Sequence, residues 1–123
     1  MSELATINTE QAGQRVIITV DGEVDPSNAR AVGREITDAV PNDALAVVLD
    51  LTAVEYLDSS GVQMIFELAE RLEVRQQKLV VVAPPEAACR RVLDIVALDA
   101  TAPVVDSRDA ARAQLCGDGT TAG

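Results

Sequence analysis

The stretch "DSSG" at positions 58–61 contains the residue types in this 123-residue sequence that are best suited to chemistry. Two adjacent serine hydroxyls stand between an apolar run that ends at Leu57 and an apolar pattern that continues to Leu72. A serine hydroxyl can cap a helix, accept a phosphate group or act as a nucleophile. The other residues of the chain help to decide between these roles.

A catalytic serine needs a general base, and the sequence does not supply one. There is no histidine in the chain, which excludes a Ser-His-Asp triad. Lys78 is the only lysine and opens a later strand pattern, and the neighbouring carboxylate of Asp58 is a weak base. The G-x-S-x-G motif of hydrolases is also absent. We therefore expect that the protein is not an enzyme and has no catalytic residues.

Asp50 raises the alternative of a receiver-type phosphoacceptor, because it ends an apolar strand pattern. Asp21, Glu23 and Asp25 follow another strand pattern and are candidates to hold the metal that this chemistry requires. The same chemistry needs a lysine at a later strand end, and no lysine stands there. The glycine motifs G-x-x-x-x-G-K-[ST] and G-x-G-x-x-G of nucleotide-binding proteins are absent as well.

Composition predicts one folded domain at 4–116, followed by a flexible tail at 117–123, because 48% of the residues are hydrophobic. The formal net charge of −10 disfavours nucleic acid and stable membrane association, and favours a protein partner with a basic patch.

No signal-peptide pattern or apolar run of about 20 residues is present, so we expect a cytoplasmic location. With no histidine, we expect no metal and no cofactor, and we expect Cys89 and Cys116 to be unpaired.

Strand and helix patterns alternate along the chain, as is typical of an α/β fold. Apolar and β-branched runs predict strands at 4–8, 14–20, 45–51, 78–83 and 103–105. Helical periodicity predicts helices at about 26–40, 60–75, 85–98 and 107–115. Asp25 is expected to cap the first helix, with Pro26 as its first residue. The first two strands are expected to form a hairpin in a mixed, mostly parallel sheet of four to five strands with about four helices.

The second predicted helix offers a structural explanation for part of the serine pair. Ser60 and Gln63 match a capping box, Gly61 eases the turn, and Asp58 lies favourably near the positive end of the helix dipole. This arrangement leaves Ser59 outside the helix, at the carboxyl edge of the sheet, with its hydroxyl accessible to another protein. One face of the helix is expected to pack on the sheet, through Val62, Ile65, Leu68, Ala69 and Leu72.

Two segments carry a resemblance to a known family. The segment "VVLDLTAVEYLDSSGVQMIFELAERL" (47–72) resembles the central segment of STAS domains, the fold of bacterial anti-sigma factor antagonists. In that family a strand leads into a D-S-[ST]-G loop and then a helix. The segment "VDGEVDPSNARAV" (20–32) is similar to the family's earlier G-E-[LV]-D stretch, and the order of elements agrees from about 4 to 115. The resemblance implies a single-domain STAS-like fold.

The resemblance also implies a function. In antagonists of this family the phosphoacceptor is the first hydroxyl after the aspartate, which is Ser59 in this chain. The unphosphorylated antagonist binds an anti-sigma factor, which is itself the serine kinase and uses ATP and magnesium, and the sigma factor is released. A metal-dependent serine phosphatase removes the phosphate. The implied partner-binding residues are Glu23, Asp25, Asp58, Ser59, Ser60, Gly61, Val62, Gln63 and Met64.

One residue departs from the family pattern. Many members have a second glycine where this chain has Gln63, and a bulkier polar residue there is a candidate determinant of partner choice. STAS domains also occur in transporters, lipid-transport components and stressosomes. The alternative function is therefore a STAS domain that binds a small ligand or serves a membrane transport or stressosome complex. The sequence names neither the sigma factor nor the kinase.

Overall fold

The computed structural model describes the backbone of residues 4–120 and the side chains of residues 4–115. The strands are β1 (Ala5–Ala12), β2 (Arg15–Val24), β3 (Ala46–Asp50), β4 (Val54–Leu57), β5 (Lys78–Val82) and β6 (Val104–Val105). The helices are α1 (Ala29–Ala39), α2 (Ser59–Val74), α3 (Arg90–Ile95) and α4 (Arg108–Thr120), with a short 3₁₀ turn at Leu98–Ala100. The predicted α/β class is confirmed, with six strands in the described chain instead of four or five.

All six strands belong to one mixed sheet. β1 and β2 form the predicted antiparallel hairpin, and β2, β3, β5 and β6 then follow one another in parallel. β4 pairs in parallel with the end of β2, beyond the part of β2 that pairs with β3. The sequence analysis did not separate β4 as a strand, because only Val54 and Leu57 of its four residues are buried.

The sheet is covered on both faces, as the continuous apolar patterns of β3 and β5 predict. Every residue of β3 is buried, and alternate side chains point to opposite faces. The larger core contains the buried faces of α1 and α2 together with Leu93 of α3. The smaller core lies under α4 and contains Val48, Val80, Val82 and Ala111. The predicted apolar face of α2 is buried, which confirms the phase of that helix.

The start of α1 differs from the prediction, because Asp25 is not its N-cap. Oδ1 of Asp25 accepts hydrogen bonds from the N–H of Ser27 at 2.8 Å and from its hydroxyl at 2.5 Å, and so closes a turn. Asn28 holds the position before the helix. Its Oδ1 accepts from the N–H of Asp25 at 2.9 Å, and its Nδ2 donates to the carbonyl oxygen of Glu23 at 2.9 Å. These bonds tie the start of α1 to the end of β2, and Pro26 lies in the turn.

The last two helices also differ in length from the predictions. α3 is shorter at both ends than the predicted helix at 85–98. Residues 85–89 form turns, so the helix begins only at Arg90, and Ala97 adopts a left-handed conformation with φ of 56° that ends it. α4 runs to Thr120, beyond the predicted end at 115, and residues 121–123 of the predicted flexible tail lie outside the described residues. No helix within residues 4–120 has both the length and the apolar character needed to cross a membrane.

Cys89 lies buried at the start of α3. Its Sγ donates a weak hydrogen bond of 3.6 Å to the carbonyl oxygen of Leu51. Burial raises the pKa of the Cys89 thiol to about 11, so the thiol stays protonated and unreactive near neutral pH. Cys89 is unpaired, and the side chain of Cys116 lies outside the described residues.

Candidate functional site

Three turns with the same sequence pattern, aspartate followed two residues later by serine or threonine, come after β2, β3 and β4. They are 25–27, 50–52 and 58–60. In each turn a carboxylate oxygen accepts a hydrogen bond from the backbone N–H two residues later, at 2.8, 3.0 and 2.9 Å respectively. Because these strands are parallel, all three turns lie at the carboxyl edge of the sheet, where open α/β sheets carry their binding sites.

The turn at 58–60 is held beside the turn at 25–27 by the pairing of β4 with the end of β2. Glu23 lies opposite Tyr56 in this ladder. The N–H of Asp58 donates to the carbonyl oxygen of Val24 at 3.4 Å. The two stretches that carried the family resemblance are therefore neighbours in the fold, and their polar residues share one surface.

Asp58, not Ser60, is the N-cap of α2. Its Oδ1 accepts hydrogen bonds from the N–H of Ser60 at 2.9 Å and from the N–H of Gly61 at 3.3 Å. These are two of the N–H groups that a helix start leaves unpaired. The predicted capping box is wrong, because Gln63 donates to Glu67 at 3.2 Å instead of reaching back to the start of the helix. Ser60 is consequently the second residue of the helix, and its hydroxyl is not the cap.

Ser59 is the first residue of α2, so the expectation that it lies outside the helix is wrong. Its side chain is exposed, as predicted, and no described residue hydrogen-bonds with its hydroxyl. The first turn of a helix carries unpaired N–H groups and the positive end of the helix dipole. A group attached to the Ser59 hydroxyl would therefore meet solvent and a local field that favours negative charge.

A glycine is needed at position 61 because the packing leaves no room for a side chain, and not because the backbone has a special turn conformation. Its φ lies outside the left-handed region. A Cβ at this position would overlap the side chain of Leu57 and lie 3.1 Å from Cγ1 of Val24. Gly61 thus lets the first turn of α2 sit directly against the ends of β2 and β4.

The predicted partner-binding residues divide by their exposure. The exposed members are Glu23, Ser59 and Gln63. The half-buried members are Asp25, Asp58 and Ser60. The buried members are Gly61, Val62 and Met64. Gly61 and Val62 face the core, so their part in any partner binding is limited to positioning the exposed residues.

A groove of about 450 Å³ runs between α1 and α2 and reaches Ser60 at one end. Met64, although mostly buried, contributes to its lining. Gly33 of α1 makes room for it, because a Cβ at that position would lie only 2.7 Å from Cγ of Met64. The charged residues of the groove are Arg30, Arg34, Asp38, Glu67 and Arg71. The acidic turns therefore continue into a surface of mixed charge.

The edge around Ser59 carries negative charge that no lysine or arginine with a described side chain neutralises. The side-chain hydrogen bond from Ser27 holds the pKa of Asp25 below its ordinary value, so this carboxylate is ionised near neutral pH. Among the residues with described side chains, no lysine or arginine forms an ion pair with Glu23, Asp25 or Asp58. Added negative charge at this edge would meet uncompensated carboxylates.

Asp50, the alternative phosphoacceptor, is only 6% exposed and is fully engaged within the chain. Its Oδ1 accepts from the N–H and hydroxyl of Thr52 at 3.0 and 2.6 Å, and its Oδ2 accepts from Nε of Arg108 at 2.8 Å. Arg108 also donates to the hydroxyl of Thr19 at 2.7 Å. Burial raises the pKa of Asp50, but the hydrogen bonds from Thr52 and Arg108 outweigh it and hold the pKa below its ordinary value.

The arrangement around Asp50 does not match receiver chemistry. A carboxylate that is buried and paired with Arg108 fixes the start of α4 to the sheet instead of facing an incoming phosphate. Within the described residues, no group of three or more histidine, cysteine, aspartate or glutamate side chains is placed to hold a metal ion. The sequence analysis missed this structural role, although the repeated aspartate pattern was visible.

Comparison with known proteins defines the family. The family model described as Mlab, STAS domain, matches residues 7–106. The chain belongs to the STAS domain family. One relative of this STAS domain is RsfB of Mycobacterium tuberculosis, named an anti-sigma-F factor antagonist. It is 32% identical over 85 residues, which cover 69% of this chain and 68% of RsfB.

Solved structures agree with the assignment. The crystal structure of an anti-sigma factor antagonist from Mycobacterium paratuberculosis has a TM-score of 0.79 and 31% identity, covering 89% of this STAS domain and 92% of that chain. The anti-sigma factor antagonist SpoIIAA in its unphosphorylated form has a TM-score of 0.69 and 19% identity, covering 91% and 97%, and supports the fold alone. The resemblance predicted from the two sequence segments is confirmed.

Proposed function

We propose that this STAS domain is an anti-sigma factor antagonist that holds an anti-sigma factor while Ser59 is unphosphorylated and releases it when Ser59 is phosphorylated. The observation that carries this proposal is the exposed, unpartnered hydroxyl of Ser59 at the first position of α2. The names of the Mycobacterium relatives support the same function. The proposed contact surface comprises the exposed and half-buried residues around Ser59, which are Glu23, Asp25, Asp58, Ser60 and Gln63.

Electrostatics explain how phosphate would work as a switch. A phosphate adds about −1.5 to −2 charge and three acceptor oxygens. The start of α2 offsets part of the repulsion from Glu23, Asp25 and Asp58, because helix N-termini accept anions, so the domain itself tolerates the group. A partner surface that fits a bare serine would have to bury an unpaired dianion at a cost of several kcal/mol. Since each 1.4 kcal/mol is tenfold in affinity, a strong switch needs no conformational change.

In this proposal the chain is a substrate and a binding module, and the chemistry belongs to its partners. The anti-sigma factor acts as the serine kinase with ATP and magnesium, and a serine phosphatase reverses the step. The groups near Ser59 are carboxylates and backbone amides, which suit recognition better than activation of the hydroxyl. Because these partners act on transcription, the proposed location is the cytoplasm.

A second candidate is a STAS domain that serves a membrane transport or stressosome complex or binds a small ligand at this surface. It is favoured by the description of the matching family model, which names Mlab and not an antagonist. Under this alternative Ser59 is only part of a helix start. No anti-sigma kinase would then transfer phosphate to it.

Phosphate transfer separates the two candidates. The purified chain is incubated with ATP, magnesium and each serine-kinase anti-sigma factor encoded in the source genome, and is followed by intact mass and site mapping. We expect one phosphate, on Ser59. The variant Ser59→Ala should take up none, whereas Ser60→Ala, which removes the neighbouring hydroxyl, should still take up one phosphate on Ser59. A label on Ser60, or equal loss in both variants, would overturn the assignment.

Binding tests the switch itself. Ser59→Ala should stay bound to the same anti-sigma factor in the presence of ATP, because it cannot be phosphorylated. Ser59→Asp should bind about tenfold more weakly or worse, since a carboxylate places negative charge at the contact but carries less of it than phosphate. Affinities measured by calorimetry would contradict the proposal if phosphorylated and unphosphorylated chains bound equally well.

A further inference from the structure

The groove between α1 and α2 is locally positive, although the chain carries a formal net charge of −10. Its charged residues are three arginines and two carboxylates, and all five side chains are exposed. The arginines are Arg30, Arg34 and Arg71, and the carboxylates are Asp38 and Glu67. A negatively charged group is therefore attracted to this groove, whereas the acidic turns at 25–27 and 58–60 repel it.

The three arginines of the groove do not hold the fold together. Within the described part of the chain, none of them forms an ion pair or a side-chain hydrogen bond. Arg34 lies four positions before Asp38, and Arg71 lies four positions after Glu67, a spacing at which helical side chains are able to pair. Glu67 instead accepts a hydrogen bond from Gln63 at 3.2 Å. The guanidinium groups are thus available to a partner.

The groove begins at the surface on which the anti-sigma factor is proposed to dock. Ser60 and Gln63 belong to that surface and also line the groove. Arg30 lies in the first turn of α1 and Ser60 in the first turn of α2, and both helices start at the carboxyl edge of the sheet because they follow the parallel strands β2 and β4. A partner that covers Ser59 and extends along the groove therefore meets Arg30 first, and Arg34 one turn further along α1.

We propose that the anti-sigma factor places an aspartate or glutamate side chain in this groove beside Arg30 and Arg34, while a basic group of the same partner lies over the acidic turns. This inference rests on the proposed function and adds the charge pattern of the partner to it. Opposite signs at the two ends of the contact fix the orientation of the proteins, because a reversed complex would set like charges against each other. A uniformly basic partner, which the net charge alone favours, is rejected at the groove.

Charge reversal separates the groove from the net charge. Arg34→Glu and Arg75→Glu change the net charge equally at exposed positions, but Arg75 lies at the end of α2, outside the groove. Each variant is titrated by calorimetry with the anti-sigma factor that phosphorylates the unmodified chain. Arg34→Glu should bind about fivefold to tenfold more weakly, because an attraction becomes a repulsion, and Arg34→Gln should show a smaller loss. Arg75→Glu should bind as the unmodified chain does.

A partner that is only basic gives the opposite result. The added negative charge of Arg34→Glu would then leave the affinity unchanged or raise it, and this outcome would overturn the proposal. A second measurement uses the unmodified chain and does not depend on the folding of a variant. Phenylglyoxal modifies accessible arginines, and the bound anti-sigma factor should protect Arg30 and Arg34 but not Arg75 when the sites are mapped by mass spectrometry. Full reactivity of Arg30 and Arg34 in the complex would equally contradict the proposal.

The outcomes distinguish this inference from the function on which it rests. If no anti-sigma factor binds the unmodified chain, the proposed function fails and the inference fails with it. If the unmodified chain and Arg34→Glu bind equally well, only the inference fails. Self-association of the unmodified chain in sedimentation, abolished by Arg34→Glu, would identify the acidic turns of a second copy as the occupant of the groove and would also refute the inference.

Discussion

Asp50 and Asp58 stand at equivalent places in the fold and have different roles. Asp50 is the last residue of β3 and Asp58 directly follows β4, and each accepts a hydrogen bond from the N–H two residues later. Asp50 is buried and paired with Arg108, whereas Asp58 is half-buried, caps α2 and pairs with no cation among the described residues.

The difference shows that the local sequence determines the turn, while the tertiary partner determines what the charge does. At the end of β3, Arg108 neutralises the carboxylate and makes it part of the framework. At the end of β4 no cation among residues 4–115 pairs with Asp58, which lies beside the exposed Ser59. At the carboxyl edge of the sheet, the negative charge at the end of β3 is therefore neutralised, whereas added charge at the end of β4 has a large effect.

The largest expected effect is on stability when Asp50 is removed. Asp50→Ala should lower the free energy of unfolding by about 2–4 kcal/mol, because it leaves Arg108 and Thr52 without their acceptor. This value is lower than for a fully buried ion pair, because Arg108 is partly exposed. Urea unfolding measures it, and a double-mutant cycle with Arg108→Ala isolates the pair. A loss below about 0.5 kcal/mol would mean that this ion pair does not hold α4 in place.

The second effect is the pH dependence of the same pair. The folded-state pKa of Asp50 is lowered, so its contribution is present above the ordinary pKa of about 4 and is lost as the pH falls through the lower folded value. The stability difference between the unmodified chain and Asp50→Asn should therefore shrink on acidification below pH 4. A difference that stays constant between neutral and acidic pH would contradict the assignment.

The third effect concerns the helix cap. Asp58→Ala should lower the free energy of unfolding by about 1 kcal/mol, because two N–H groups at the start of α2 lose their acceptor. Asp58→Asn is the matched control, since an asparagine side chain also caps helices well. Equal losses for the alanine and asparagine variants in urea unfolding would show that the charge of Asp58 matters more than its hydrogen bonds.

The smallest expected effect belongs to Ser60. Ser60→Ala should change the free energy of unfolding by less than about 0.5 kcal/mol, because the Ser60 hydroxyl is not the cap of α2. Asp58 and Ser60 are both residue types that cap helices, and this outcome would show that only Asp58 does so here. A loss above about 1 kcal/mol in the same urea titration would restore Ser60 as the cap.

Much of the fold was predictable because its periodic patterns are strong. The continuous apolar runs of β3 and β5 and the apolar face of α2 reflect burial that any α/β packing requires. β4 has no such signature, with two exposed residues between two buried ones, and it exists because it pairs with the end of β2. The ion pair of Asp50 with Arg108 joins residues 58 positions apart, and no local pattern marks it.

The candidate site was predictable in part. The exposure of Ser59 was predicted, although Ser59 lies in the first turn of α2 and not before it, and the choice of cap was not predicted. Both Asp58 and Ser60 are good N-cap residues, and the backbone decides, because Asp58 is extended with φ of −106° while Ser59 is already helical. The resemblance implied that Glu23 and Asp58 both bind the partner, but the pairing of β2 with β4 that brings them together was not predicted.

Tyr56 gives this edge of the molecule its own spectroscopic signal. It is the only tyrosine in the sequence, there is no tryptophan, and its side chain is 50% exposed. It lies on β4 opposite Glu23, two positions before Asp58, so its ultraviolet emission originates beside Ser59 and nowhere else in the chain. A tryptophan-containing protein that docks over this edge would quench the fluorescence of Tyr56 by energy transfer. Its binding and dissociation can then be followed by stopped-flow fluorescence on the unlabelled, unmodified chain.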